Sequence, residues 1–139
     1  MTIISALRTY ILTYSGMGSN PVWVGFLGKE PTQYAIFPLP GARIVRTDII
    51  GNTEREFPFA IESVEFTADD PKRIANCEFY EALADWFETQ TKAGTLPSLG
   101  TGKTATAIEA LGWGVIFEQS DSGVANYQIQ AKLSYEQTA

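Results

Sequence analysis

Apolar residues recur at spacings of three and four between Phe79 and Leu99, where Tyr80, Leu83, Ala84 and Phe87 form one stripe that extends back through Ile74 and Cys77. Glu81, Asp85 and Glu88 fall outside it, so the pattern predicts a helix with a buried side and a wet side. Its ends are chemically marked. Asp69 or Asp70 is a suitable N-cap with Pro71 at the first helical position, and Lys92 followed by Gly94 marks the exit, because glycine adopts the left-handed C′ conformation without strain. The chain opens on another amphipathic pattern, with Ile3, Ile4, Leu7, Tyr10 and Ile11 on one face and Arg8 and Thr9 interrupting it. Lacking a basic n-region, this start reads as a first helix of a cytoplasmic protein rather than a signal peptide.

Elsewhere the period is two. Val22 to Leu27 and Gln33 to Leu39 read as short strands separated by a turn at Gly28 to Thr32, and strands so close in sequence are expected to pair antiparallel. Arg43 to Phe66 carries Gly51-Asn52 as a two-residue hairpin turn, which would set Asp48 opposite Arg55. Phe57, Phe59 and Ile61 then alternate with polar or small residues before Val64 and Phe66 take the other parity. That change implies a bulge near Glu62-Ser63, or a strand buried on both sides partway along. Ile44 to Glu56 has few apolar residues to bury and reads as a projecting arm. Ala105 to Gln119 is a strand broken at Gly112-Trp113-Gly114, and the last strand alternates cleanly, with Tyr127, Ile129, Ala131, Leu133 and Tyr135 on one face. The order helix, four strands, helix, two strands predicts a single α+β domain. Its antiparallel or mixed sheet would have about five to six strands, with two helices packed on it away from the wet face of the last strand and a projecting β-hairpin arm.

Composition narrows function by exclusion. At 139 residues and 45% hydrophobic, the chain is long enough to bury a core without a staple, and no apolar run approaches the length of a membrane helix. There is no histidine, which removes Ser-His and Cys-His catalysis and the commonest zinc ligand. The one cysteine, Cys77, lies in the helix stripe and reads as a small buried hydrophobe. A net charge of −6 opposes any sequence-independent grip on DNA.

Candidate chemistry fares no better. Gly100-Thr101-Gly102-Lys103-Thr104 looks like the end of a phosphate-binding loop, but Pro97 stands where the motif needs a glycine, and a helix precedes where a strand is needed. It reads as a flexible solvated connector. Asp69 with Asp70, Glu62 with Glu65, and Glu54 with Glu56 are the carboxylate pairs available for acid/base work or a hard cation. Capping explains the first, and one solvated strand face explains the last. Trp23, Trp86 and Trp113, with Phe79, Tyr80 and Phe87, have no basic residues interleaved as a nucleic-acid stacking platform would, so they read as core or subunit contact. No enzyme activity, cofactor or metal is expected.

Several features in order carry a resemblance over nearly the whole length. They are the N-terminal helix from Ile3 to Tyr14, a short strand ending near Gly28, Tyr34-Ala35-Ile36, and a Gly-centred hairpin leading to Phe57-Pro58-Phe59. The second helix follows with Asn76, Phe79-Tyr80-Glu81, Asp85-Trp86 and Leu96-Pro97, then Tyr127-Gln128-Ile129-Gln130 and Leu133-Ser134-Tyr135. In these the chain resembles the tail-terminator, or minor capsid (tail completion), proteins of long-tailed phages and Gram-positive prophages. The Gly100 to Thr104 and Gly16 to Asn20 loops are particular to this chain. The resemblance implies a non-enzymatic virion protein at the head-tail junction of a siphovirus, made in the host cytoplasm. It implies a hexameric ring that ends growth of the tail tube and docks the head connector, with DNA passing through the lumen unbound. Partners would be further copies of the chain, the major tail tube protein and a head-completion protein, with no membrane.

A ring of heterologous contacts needs two different patches on each copy. The arm supplies one candidate, with Arg43, Arg46, Asp48, Ile49, Ile50, Asn52 and Arg55 as the residues to contact a neighbour's sheet or helix. Exposed loops supply candidates for the tube and connector contacts, through Met17, Asn20, Thr101, Lys103 and Asp121. A head-completion or neck protein is the alternative within virion assembly, and a small-ligand-binding α+β domain is the alternative outside it.

Overall fold

The first helix, α1 (Ile3–Ile11), starts on a capping box: Thr2 Oγ1 accepts the Ser5 N–H and Ser5 Oγ accepts the Thr2 N–H, both at 3.2 Å. Two amides that the helix itself leaves unpartnered are thereby satisfied. Leu7, Tyr10 and Ile11 are buried as the spacing predicts, Ile3 and Ile4 of the same face are half-buried, and Ala6 is buried beside them. The computed structural model describes residues 2–17, 22–25, 33–41, 43–66, 70–112, 115–119 and 124–139. The other helix, α2 (Asp70–Ala93), ends as expected at Gly94, whose φ is +74°. There Thr95 N–H donates to Gln90 C=O at 3.0 Å and Gly94 N–H to Thr91 C=O at 3.2 Å, the paired bonds of a Schellman cap. The N-cap position Asp69 lies outside the described residues.

The fold is α+β, with two helices on a mixed sheet. The strands are β1 (Val22–Val24), β2 (Gln33–Pro38), β3 (Ile44–Thr47), β4 (Thr53–Phe66), β5 (Lys103–Ala110), β6 (Val115–Gln119) and β7 (Val124–Gln137). They lie in the order β1-β2-β4-β7-β5, with β3 continuing the β2 side of β4 and β6 continuing the β5 side of β7. The count is seven rather than six because 105–119 is divided into β5 and β6 at the glycine-flanked break that the sequence marks. The centre is the antiparallel pair β4 and β7, in unbroken register from Thr53 opposite Gln137 to Phe66 opposite Val124. That register removes the bulge at Glu62-Ser63. The alternative holds instead: Phe59, Ala60, Ile61, Ser63 and Val64 are all buried, so the strand is covered on both faces along this part.

One expected pairing is overturned. β1 runs parallel to β2, Val22 beside Tyr34 and Val24 beside Ile36. A strand of three residues spans only about 10 Å, and the eight residues between Val24 and Gln33 can extend roughly 26 Å, so a parallel return is sterically open.

Both helices cover the same face of the sheet. Tyr127, Ile129, Ala131, Leu133 and Tyr135 of β7 point to that face, with Ile36, Phe59 and Ile61 beside them, in one continuous core with α1 and α2. Trp86 of α2 sits between Tyr10 of α1 and Tyr14, three residues past the end of that helix, each ring centroid 5.0 Å away, and Phe79 touches Tyr14, Tyr34 and Tyr80. This aromatic seam explains why Cys77 is not the small buried hydrophobe that the stripe predicts. Because α1 packs on the Phe79 and Trp86 flank of α2, the buried arc is drawn to that side, and Cys77 on the opposite flank is exposed. Ser63 and Tyr80 share a buried hydrogen bond beneath the seam.

α2 also guards a sheet edge. Thr91 Oγ1 donates to Ile108 C=O at 2.8 Å and accepts Ile108 N–H at 3.0 Å, partnering both outward backbone groups of β5 at that residue. Thr91→Val, nearly isosteric, is expected to lower stability by about 1–3 kcal/mol because it strands both groups beside a buried isoleucine. Thr91→Ser should retain most of it, and urea unfolding of the two variants checks this.

The outer sheet face is polar. Lys132 bridges Glu56 at 2.6 Å and Glu109 at 3.3 Å across three strands, and Gln128 donates to Glu62 at 2.8 Å. Hydrogen bonding to Glu56 and then Glu109 raises the Lys132 pKa, and burial raises the phenols of Tyr10 and Tyr14, with Asp85 adding to the shift at Tyr14. The folded state therefore holds these protons more tightly than the unfolded chain. Their stabilisation is complete below the ordinary tyrosine and lysine values and is lost as pH rises through the raised ones. Melting temperature is expected to begin falling above about pH 10. Absorbance at 295 nm should show Tyr10 and Tyr14 ionising late, and Tyr10→Phe and Tyr14→Phe should each delete part of that late phase; ionisation of both at the ordinary value in folded protein would contradict this.

Candidate functional site

The chain from Arg43 to Asn52 crosses the sheet end as β3 and a tight loop, and every side chain from Arg43 to Gly51 is exposed. The arm is partly what the sequence leads one to expect. Its return strand is not free, because Thr53 to Glu56 pairs with Gln137 to Ser134 of β7. The feature is thus an extension of the sheet with β3 as its open edge, carried on a four-strand base.

The loop at its end is held by a dense set of bonds. Asp48 Oδ1 accepts the N–H groups of Ile50 at 3.0 Å and Asn52 at 2.9 Å, Asp48 N–H donates to Asn52 C=O at 2.9 Å, and Gly51 N–H donates to Asp48 C=O at 3.2 Å. An aspartate that bonds its own following amides builds the turn from its side chain. The turn therefore spans Asp48 to Asn52 with Gly51 at φ +93°, and Asp48 does not face Arg55: the registered pairs are Thr47 with Thr53, Arg46 with Glu54 and Ile44 with Arg55. Asn52 Oδ1 also accepts the Ala139 N–H at 2.9 Å, tying the tip to the chain's last residue.

What this scaffold displays is two isoleucines. Ile49 is 103% exposed relative to a reference isoleucine and Ile50 is 72% exposed. Scattered apolar side chains on a surface are ordinary, but adjacent β-branched residues on a hydrogen-bonded loop tip form a knob whose backbone is already held before any contact. Ile44 and Val45 extend the apolar character down the edge strand. Around them Arg46 pairs with Glu54, Arg43 is exposed, and Arg55 Nε donates to Thr53 Oγ1 at 2.9 Å.

The loop candidates fare differently. Met17 is fully buried in a 3₁₀ turn, Ser15–Met17, and is a core residue: its N–H donates to Tyr14 C=O at 3.1 Å, which folds the chain back under α1. Asn20 and Asp121 lie outside the described residues, as does Trp113. Thr101 is exposed in the turn before β5, while Lys103 is the first residue of β5 and half-buried, not a loop residue. That turn is anchored rather than flexible, since Gly102 C=O accepts the Thr138 N–H at 2.9 Å. It precedes a strand, which leaves no helix N-terminus to hold a phosphate.

A second surface feature was not legible in the sequence. Between α2 and the edge of β5 runs a groove of about 360 Å³, floored by Ala84, Ala107, Ile108 and Ala110 and rimmed by Asp85, Glu88 and Glu109. Lys92 stands there too, paired to Glu88 at 3.0 Å. Its residues come from two segments, 84–92 and 107–110, and packing alone brings them together. Among the described residues no three Asp, Glu or Cys side chains converge as a metal-binding group. The carboxylates of Glu54, Glu56 and Glu62 are each engaged by a neighbouring cation or amide.

No protein-family model matches this sequence, and no curated protein matches it either.

Proposed function

We propose that this chain is a structural virion protein that forms a ring at the head-proximal end of a phage tail tube, ends tube polymerisation and presents a docking surface to the head connector. The reading begins from the resemblance in the helix and strand motifs. The observation that carries it is the rigid tip with Ile49 and Ile50 outermost, a feature that stabilises nothing within its own chain and is suited to contact with another copy. The tip and the faces it could meet differ, so a contact repeated head to tail closes into a ring or runs on as a filament, whereas a reciprocal exchange of tips would stop at a two-fold dimer. The outer sheet face, where Glu54, Glu56, Glu62, Glu109 and Glu136 outnumber Arg46 and Lys132, suits a surface near DNA that must slide and not stick.

Purified protein mixed with assembled tail tubes is expected to cap one end of each tube in negative-stain images and to halt elongation. Binding only to portal-bearing heads would assign it to the neck instead. A small-ligand-binding domain is the other reading with a structural basis, a cavity of about 460 Å³ between the start of α1 and the strand ends, near Arg43, Phe57, Lys103 and Tyr135. A persistent monomer that takes up a small molecule there, and ignores tube ends, would favour it.

A further inference from the structure

We propose that the tip of one copy, through Ile49 and Ile50, seats in the groove between α2 and β5 of a second copy. The inference rests on the self-association reading above and adds the receiving site. A copy cannot fill its own groove. The tip extends from the β3 and β4 end level with Lys103, whereas the groove opens beside Ala107 to Ala110 on the far edge, roughly 14 Å across three strand spacings and at least roughly 14 Å along. The contact is therefore between copies, and it joins two unlike patches.

Shape and chemistry agree. The groove offers an apolar floor for two aliphatic side chains, and Thr91 has already partnered the backbone of Ile108, so at that point it accepts side chains and not an added strand. Charge is complementary as well. Residues 43–55 carry Arg43, Arg46 and Arg55 against Asp48 and Glu54, a basic excess within a chain of net charge −6. The rim carries Asp85, Glu88 and Glu109 against Lys92. Arg46 is paired to Glu54 and Glu88 to Lys92, so what remains is a small positive excess on the arm, with Arg43 exposed, facing a rim with a negative excess, and that difference favours approach of the one to the other.

Cysteine trapping tests it. In a Cys77→Ser background, chains bearing Ile50→Cys are mixed with chains bearing Ala107→Cys and oxidised gently, with Glu81→Cys on the exposed side of α2 as the control partner. A disulfide between the Ile50→Cys and Ala107→Cys chains at least about tenfold more abundant than with the control is expected. If light scattering shows assembly but the trapped pair does not exceed the control, or Ile50→Cys chains link to each other instead, the groove is not the seat while self-association stands. If the protein neither assembles alone nor on tube ends, the seat and the ring reading fall together.

Discussion

Phe87→Ala is expected to lower the unfolding free energy by about 3–5 kcal/mol, a large share of the 5–15 kcal/mol typical of such a domain. Phe87 is fully buried in the stripe of α2, edge-on to Phe59 of β4 with ring centroids 6.3 Å apart and beside Trp86 at 5.8 Å. Truncation removes the apolar area and leaves a cavity where helix meets sheet, and neither partner is free to collapse into it, since Phe59 is fixed by the β4–β7 register and Trp86 by Tyr10 and Tyr14. Urea unfolding followed by circular dichroism reads the loss as a lower midpoint with little change in slope. A loss below about 1 kcal/mol would mean that α2 is not docked through this stripe.

The second large effect runs the other way, on assembly without stability. Ile49→Ser with Ile50→Ser should leave the melting temperature within about 2 °C, because substitutions at exposed positions remove no internal contact. Burying each isoleucine at a subunit contact contributes about 1.5–3 kcal/mol, so losing both should weaken each contact by roughly a hundredfold or more. Sedimentation velocity of the double variant should therefore show monomer where the parent chain assembles. Asp48→Ala is a useful companion, since it leaves both isoleucines but deletes the side-chain bonds that hold the loop. It should weaken assembly by less than the double variant, through the ordering cost alone.

How much of this was readable beforehand depends on the range of the forces involved. Both helices, the Leu7, Tyr10 and Ile11 face of α1, the Tyr80, Leu83, Ala84 and Phe87 part of the α2 stripe, the Gly94 stop and the alternating last strand follow from local periodicity and capping, and they appear as expected. The exposed isoleucines were readable for the same reason, as apolar residues beside Gly51-Asn52 in a segment with nothing to bury against. What local pattern cannot carry is the relative placement of elements. The exposure of Cys77 depends on which flank of α2 the first helix occupies, and the direction of β1 on how a three-residue strand returns. Met17 looked like loop because glycines surround it, yet a single turn tucks it into the core. The side-chain turn at Asp48 displaced the hairpin centre and with it the pairing of Arg55. The groove was hidden for the most general reason: α2 and β5 meet only in the folded chain.

The most direct measurement is the mass of the native protein by light scattering, alone and after addition of tail-tube ends. A closed assembly of a fixed number of 15.3 kDa chains is expected in at least one of these conditions, lost in the Ile49→Ser, Ile50→Ser variant. A 15.3 kDa monomer in both conditions, or an assembly indifferent to that variant, would contradict it.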